Sequence, residues 1–245
     1  MPILTVNGVA THVQELGAGS PVVMAHGLVI GSLASWYFTA GADLARDHRV
    51  RMYDLRGHGR SARPASGYDT TTLARDLEAL TAELPPFDLV GHSWGGLVAL
   101  RFTLAYPERV RRLAVVEAPI PPSTAIDLLG PDVTPEGLLN ALPESLRSAV
   151  ASGRRQAERL LATVVALVRD TTLLADVRAE PEPDARELRV PTLLAYGASS
   201  SCLAGGKKLA AQIPGAALHV LPGGHYLHLD ARAELSRLLA EHLHG

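Results

Sequence analysis

The chain has 245 residues, of which 47% are hydrophobic, and its formal net charge is −2. That length and apolar fraction suit one large domain with a sizeable core, or one domain carrying an insertion. The near-neutral charge gives no reason to expect nucleic acid or an anionic membrane as partner. A single cysteine, Cys202, excludes an internal disulfide framework and fits a reducing, cytoplasmic setting. Met1–Leu16 shows no basic start leading into an apolar run, no apolar run is long enough to span a bilayer, and no internal repeat is visible.

In chain order, Ile3–Val6 and Thr11–Leu16 read as two short strands around the hairpin signal Asn7-Gly8. Pro21–Ala25 is an apolar β-rich run of the kind that is buried on both faces, and it ends at His26-Gly27-Leu28. Ser32–Asp47 reads as one helix with Ser32 as its cap. Arg49–Tyr53 is a further strand, closed by the polar glycine-rich turn Asp54-Leu55-Arg56-Gly57-His58-Gly59-Arg60-Ser61. Leu73, Leu77, Leu80 and Leu84 mark a helix over 70–84, stopped by Pro85-Pro86.

The next stretch carries the most information. A strand, Phe87–Val90, runs into Gly91-His92-Ser93-Trp94-Gly95-Gly96, and an apolar helix, Leu97–Tyr106, leaves it. This is G-x-S-x-G placed between strand and helix. The serine at the apex takes a strained backbone conformation that lifts its hydroxyl clear of the sheet, and the flanking glycines avoid a collision across the turn. The helix directs the positive end of its dipole at the serine. Arg112–Val116 is the following strand, ending at Glu117-Ala118-Pro119.

After Pro121-Pro122 no convincing strand occurs until residue 189; Pro135–Ala151 and Arg154–Val177 read as helices and Ala179–Ala185 as a connector. Strand and helix then resume with Thr192–Tyr196, Ala204–Gln212, Ala217–Leu221, the loop Gly223-Gly224-His225, and a closing helix Ala231–His244. The expected architecture is α/β: a mostly parallel central sheet with helices on both faces. The core spans 1–122 and 189–245, and a small helical insertion, 123–188, sits beside the carboxyl ends of the strands as a cap.

Four segments together resemble the α/β-hydrolase fold superfamily over essentially the whole chain. His26-Gly27 resembles its oxyanion loop, 54–61 the turn after its fourth strand, Gly91–Gly96 its nucleophile elbow, and Gly224-His225 its histidine loop. The resemblance implies Ser93 as nucleophile and His225 as base. A serine hydroxyl is a poor nucleophile without a base in hydrogen-bond reach, and the other histidines belong to loop motifs or to strand and helix faces. The pair His225-x-x-His228 has no matched third ligand, so no metal is expected.

The acid departs from the commonest family pattern. Relatives usually place an Asp after the strand that is here Thr192–Tyr196, whereas this chain reads Gly197-Ala-Ser-Ser-Ser-Cys202 without a carboxylate. Glu117 takes the acid position, as in fungal zearalenone lactonases and certain haloalkane dehalogenases. The alternatives are that Glu117 is a structural carboxylate and that the serine run bonds His225. The expected oxyanion hole is the Trp94 N–H with that of Leu28, Gly27 being the neighbouring choice. His26, Val29, Ile30, Pro119, Leu160 and Val164 are expected to line the substrate pocket, and the Trp94 indole either floors it or simply packs. The implied activity is a cofactor-free serine hydrolase acting on a small or medium apolar ester, lactone or thioester through a Ser-His-Glu triad and an acyl-enzyme, as monomer or homodimer. The same triad also serves carbon–carbon bond hydrolases, and the missing Asp keeps a non-hydrolytic ligand-binding protein open. An Asp nucleophile, as dehalogenase and epoxide-hydrolase relatives use, is absent at position 93.

Overall fold

The computed structural model describes residues 2–28, 31–128, 137, 147–148, 151–152 and 155–244. Eight strands form one sheet: β1 (Ile3–Val6), β2 (Val9–Leu16), β3 (Ser20–Ala25), β4 (His48–Tyr53), β5 (Phe87–His92), β6 (Val110–Val116), β7 (Thr192–Gly197) and β8 (Ala217–Leu221). Their spatial order is β1-β2-β4-β3-β5-β6-β7-β8. β2 pairs antiparallel with β1 and with β4, and every other pairing is parallel. The first hairpin turns at Asn7 (φ 46°) and Gly8 (φ 79°), the two positive φ angles that a type I′ turn requires.

The central strands are largely apolar because both faces are covered, with Asp88 of β5 paired to Arg111 and Arg112 of β6. Val23 and Ala25 of β3, Leu89 of β5, Leu113 and Val115 of β6, and Leu194 and Tyr196 of β7 belong to one core cluster. Their neighbours Val22, Met24, Val90, Ala114, Val116, Leu193 and Ala195 belong to a second cluster on the opposite face. That is the two-residue alternation of a pleated strand. The described helices are α1 (Ala34–Tyr37), α2 (Ala40–Leu44), α3 (Thr70–Leu80), α4 (Trp94–Ala105), α5 (Thr124–Asp127), α6 (Arg155–Asp170), α7 (Leu173–Ala179), α8 (Leu203–Gln212), α9 (Leu227–Asp230) and α10 (Arg232–His244).

Three expected helices differ. The single helix over 32–47 is two short ones, because Thr39 (φ −129°, ψ −128°) leaves helical space. Its hydroxyl donates instead to the Ser35 carbonyl, a local bond with which threonine competes against helix continuation. Ser32 supplies no side-chain cap; the residue before α1 is Leu33. The helix over 154–177 is divided into α6 and α7, with the Thr171 hydroxyl donating to the Leu167 carbonyl at the break. The helix over 70–84 stops at Leu80, where the Thr81 hydroxyl donates to the Leu77 carbonyl. Most of the segment expected as helix over 135–151 lies outside the described residues, as do Val29 and Ile30.

Between β6 and β7 the described residues form helices α5 to α7. Acidic side chains tie the end of this segment to the start of α3. Asp176 accepts from the Tyr68 N–H, and Glu180 accepts from the Thr70 N–H and hydroxyl and from Arg101. Val164 and Leu167 of α6 are buried in the same cluster as Tyr68 and Leu55. No helix among the described residues is long and apolar enough to cross a membrane.

Candidate active site

β3 has β4 on one side and β5 on the other, so the chain reverses its direction of travel across the sheet there. In open α/β sheets such a switch point opens a crevice beyond the carboxyl ends of the strands. Gly27 follows β3, Ser93 follows β5, Glu117 follows β6, and His225 lies in the loop after β8.

Ser93 stands between β5 and α4 with φ 55° and ψ −123°. Its N–H donates to the Val116 carbonyl, which anchors the turn to the neighbouring strand. The flanking glycines have no room for a side chain. A Cβ on Gly91 would come within 2.2 Å of the Gly95 carbonyl oxygen, and one on Gly95 within 2.5 Å of that of His26. Trp94 opens α4, so its N–H is one of the first-turn donors without an intrahelical acceptor. The Trp94 indole is fully buried and donates to the Tyr68 carbonyl at 3.2 Å, so it packs beneath the elbow and does not floor an open pocket.

Ser93 Oγ lies 2.9 Å from His225 Nε2, and His225 Nδ1 lies 3.1 Å from Glu117 Oε2. The three side chains expected from the sequence therefore meet in one hydrogen-bonded line. Glu117 is 0% exposed and, like Ser93, has a positive φ (58°). Its two oxygens are fully engaged: Oε1 accepts from the Gly197 N–H, and Oε2 accepts from the Ser200 hydroxyl as well as facing His225. The serine run after β7 thus bonds the carboxylate, not the imidazole. Ser200 and Gly197 were not singled out from the sequence as partners of Glu117; the only signal was a polar loop where relatives carry Asp.

The histidine loop is held from three directions. Asp230 accepts from the Gly224 N–H, and the Ser199 hydroxyl donates to the Gly223 carbonyl. His92 places its Nε2 2.8 Å from the His225 carbonyl oxygen, where it donates. Its ring meets that of His225 tilted and that of His228 edge-on, at centroid distances of 5.0 and 4.9 Å. Burial, then the neighbouring His228 and His225, hold His92 well below the ordinary histidine range; burial pushes His228 down to about 4. Both are neutral at pH 7. Cys202, at the start of α8, brings its Sγ to 3.6 Å from His225 Nδ1, and burial with the nearby Glu117 pushes the thiol up to about 12.

The remaining expected site residues fall as follows. Gly27 is buried against the elbow: a Cβ there would lie 2.9 Å from Ser93 Cβ and 3.3 Å from Ser93 Oγ. Leu28 is half-buried at the edge of the core. His26 is fully buried and both its ring nitrogens meet backbone, Nε2 accepting from the Leu55 N–H at 2.9 Å and Nδ1 donating to the Gly27 carbonyl at 2.7 Å. It ties the β3 and β4 loops together and offers nothing to a ligand. Asp54 similarly holds its own turn, accepting from the Leu33 and Arg60 N–H groups and from His12. Pro119 is buried, Val164 is 1% exposed within the core, and Val29, Ile30 and the side chain of Leu160 lie outside the described residues.

A family model described as alpha/beta hydrolase fold matches residues 20–134. A pimeloyl-[acyl-carrier protein] methyl ester esterase from Chromobacterium violaceum is 30% identical over 254 aligned positions, covering 94% of this chain and 97% of that protein. A non-heme chloroperoxidase from Streptomyces lividans is 37% identical over 56% of this chain and 49% of its own length. This chain likewise spans about half the length of several other curated relatives it matches. Among solved structures, Est816, described as an N-acyl homoserine lactone degrading enzyme, superposes with a TM-score of 0.74 at 26% identity, over 98% of this chain and 99% of that one.

Proposed function

Because the chain belongs to the α/β-hydrolase fold family, we propose that it is a serine hydrolase cleaving a small or medium carboxylic ester or lactone through an acyl-enzyme. One observation carries the reading: the line Ser93 Oγ, His225 Nε2, His225 Nδ1, Glu117 Oε2, with 2.9 and 3.1 Å steps. With Glu117 accepting at Nδ1, the imidazole presents its Nε2 lone pair to the serine. His225 removes the Ser93 proton as Oγ attacks the ester carbonyl, and Glu117 stabilises the imidazolium that forms. The oxyanion is received by the N–H of Trp94 and that of Leu28, whose loop passes against the elbow at Gly27. His225 then protonates the leaving alcohol, and a water activated by the same histidine releases the acid. Helices α5 to α7 act as the lid over this crevice. No step calls for a cofactor. The relative named above as a methyl ester esterase, matched over 94% of this chain, supports the ester reading.

The test is exposure to a fluorophosphonate, followed by peptide mass mapping and a screen of methyl esters, acyl lactones, thioesters and vinylogous 1,5-diketones. A single adduct on the peptide bearing Ser93, with turnover of esters or lactones, is expected. An unlabelled, well-folded protein would overturn the nucleophile, and turnover confined to diketones would move the reaction to carbon–carbon cleavage.

The close passage of Gly27 gives a second expectation. Gly27→Ala forces its new methyl group against the Ser93 side chain, and about 1 Å of misplacement at a reacting group can cost on the order of 10²-fold. Gly27 does not need a positive φ, so the backbone tolerates alanine and the protein folds. Ester kcat/KM should fall by about 10²-fold with little change in Tm; an unchanged rate would place the reacting serine elsewhere.

A further inference from the structure

We propose that Glu117, Cys202 and His225 Nδ1 form a binding site for one thiophilic divalent cation, Zn²⁺ or Cd²⁺, whose occupancy switches the serine off. One ligand atom from each residue lies within 4.8 Å of the other two. Two of the three ligand edges fit a tetrahedral ion. With Zn–S about 2.3 Å and Zn–N about 2.0–2.1 Å, tetrahedral geometry sets the N···S edge at roughly 3.5 Å and the N···O edge at roughly 3.3 Å. The observed separations are 3.6 Å from Cys202 Sγ to His225 Nδ1 and 3.1 Å from His225 Nδ1 to Glu117 Oε2. Carboxylate, imidazole and thiolate are the donor types zinc takes, and a water or the Ser200 hydroxyl completes four-coordination.

The charges balance. The ion displaces one proton to solvent, from the Cys202 thiol, while the His225 proton moves from Nδ1 to Nε2. Thiolate and carboxylate then neutralise its two positive charges, so the buried site carries no net charge. This is a different arrangement from the His225-x-x-His228 spacing visible in the sequence, since His228 contributes nothing to it.

The consequence lies in the tautomer. A neutral imidazole coordinated through Nδ1 must carry its one proton on Nε2. That proton then points at Ser93 Oγ, and the lone pair that would accept the serine proton is gone. Cation binding stands on the geometry alone; its effect on turnover rests on the serine-hydrolase reading, so the two are measured separately.

Titration of the full chain with Cd²⁺ is followed by the thiolate-to-cadmium charge-transfer absorption in the ultraviolet. A band saturating at one ion per chain, displaced by Zn²⁺ and abolished by EDTA, is expected. It should be lost in Cys202→Ser, in Cys202→Ala should the serine variant melt early, and weakened in Glu117→Gln. Separately, saturating Zn²⁺ should slow fluorophosphonate labelling of Ser93 by at least about tenfold, reversibly by EDTA; the Cys202 variants, each compared with its own metal-free rate, should resist. The absence of a band, or a band that survives in a folded Cys202 variant, overturns the site. A band with labelling unchanged overturns the switch.

Discussion

Glu117→Gln is expected to lower kcat by about 10⁴-fold while the protein remains folded. The size of the effect follows from how the carboxylate is held. Oε1 accepts from the Gly197 N–H, so a glutamine must keep its carbonyl oxygen there; the flipped amide would set an N–H₂ group against a backbone N–H. The amide nitrogen is then forced to the position of Oε2, where it faces Ser200 and His225 Nδ1. The Ser200 hydroxyl can rotate to accept. The imidazole can accept only by moving its own proton to Nε2, which aims N–H at Ser93 in place of a lone pair. The variant therefore loses both the negative partner of the imidazolium and the productive tautomer, whereas substrate contacts are untouched and KM stays near its starting value. Steady-state kinetics on the ester found in the screen, with fluorophosphonate labelling rates alongside, check this. A fall of less than about tenfold would return Glu117 to a structural role.

Only part of this carboxylate's environment was legible in the sequence. Ser93 and His225 could be placed because glycine spacing reports backbone constraint directly: Gly91 and Gly95 have no room for a Cβ. The sheet was equally open to reading, since strands buried on both faces are continuous apolar runs. The partners of Glu117 were not open in this way. Ser200 meets it only because β7 lies beside β6 in a particular register, Val116 opposite Ala195, and no local pattern encodes that register. The role of His92 was hidden for the related reason that adjacency along the chain says little about reach across a loop: its ring turns toward the histidine loop and donates to the carbonyl of His225. The breaks at Thr39 and Thr171 were hidden because a single threonine inside a helical pattern is compatible with either continuation or local side-chain bonding to backbone.

A second large effect concerns stability, and it arises from histidines that do no chemistry. Burial is the leading cause that holds His26 and His92 below the ordinary histidine range, and it pushes His228 down to about 4 and His58 down to about 3. The packing requires their neutral forms. His26 Nε2 must accept from the Leu55 N–H, and the Nδ1 of His228 is buried without a partner among the described residues. In the unfolded chain these groups take up protons near pH ~6.5. As pH falls below that value the unfolded state therefore binds more protons than the folded one, and stability drops with it. The loss continues until the folded-state values are reached, at about 4 for His228 and about 3 for His58. Each such histidine contributes a slope of up to about 1.4 kcal/mol per pH unit. Four acting together can remove about 5 kcal/mol per unit, a large share of the ~5–15 kcal/mol that holds a typical domain together. Carboxylates do not explain a change in this window. Glu15 and Asp69 are shifted downward from ordinary values of 4.5 and 3.8, so their contributions disappear only at lower pH, and the raised Asp88 acts with the opposite sign. Thermal melts should show Tm falling continuously from pH 7 to pH 5 and cooperative unfolding at ambient temperature before pH ~4. His228→Asn should flatten the dependence by about one proton's slope. Constant stability from pH 7 to pH 5 would mean that these histidines are charged, or reached by water, in the native protein, and that the packing around the histidine loop is looser than the distances of 4.9 and 5.0 Å between its rings imply.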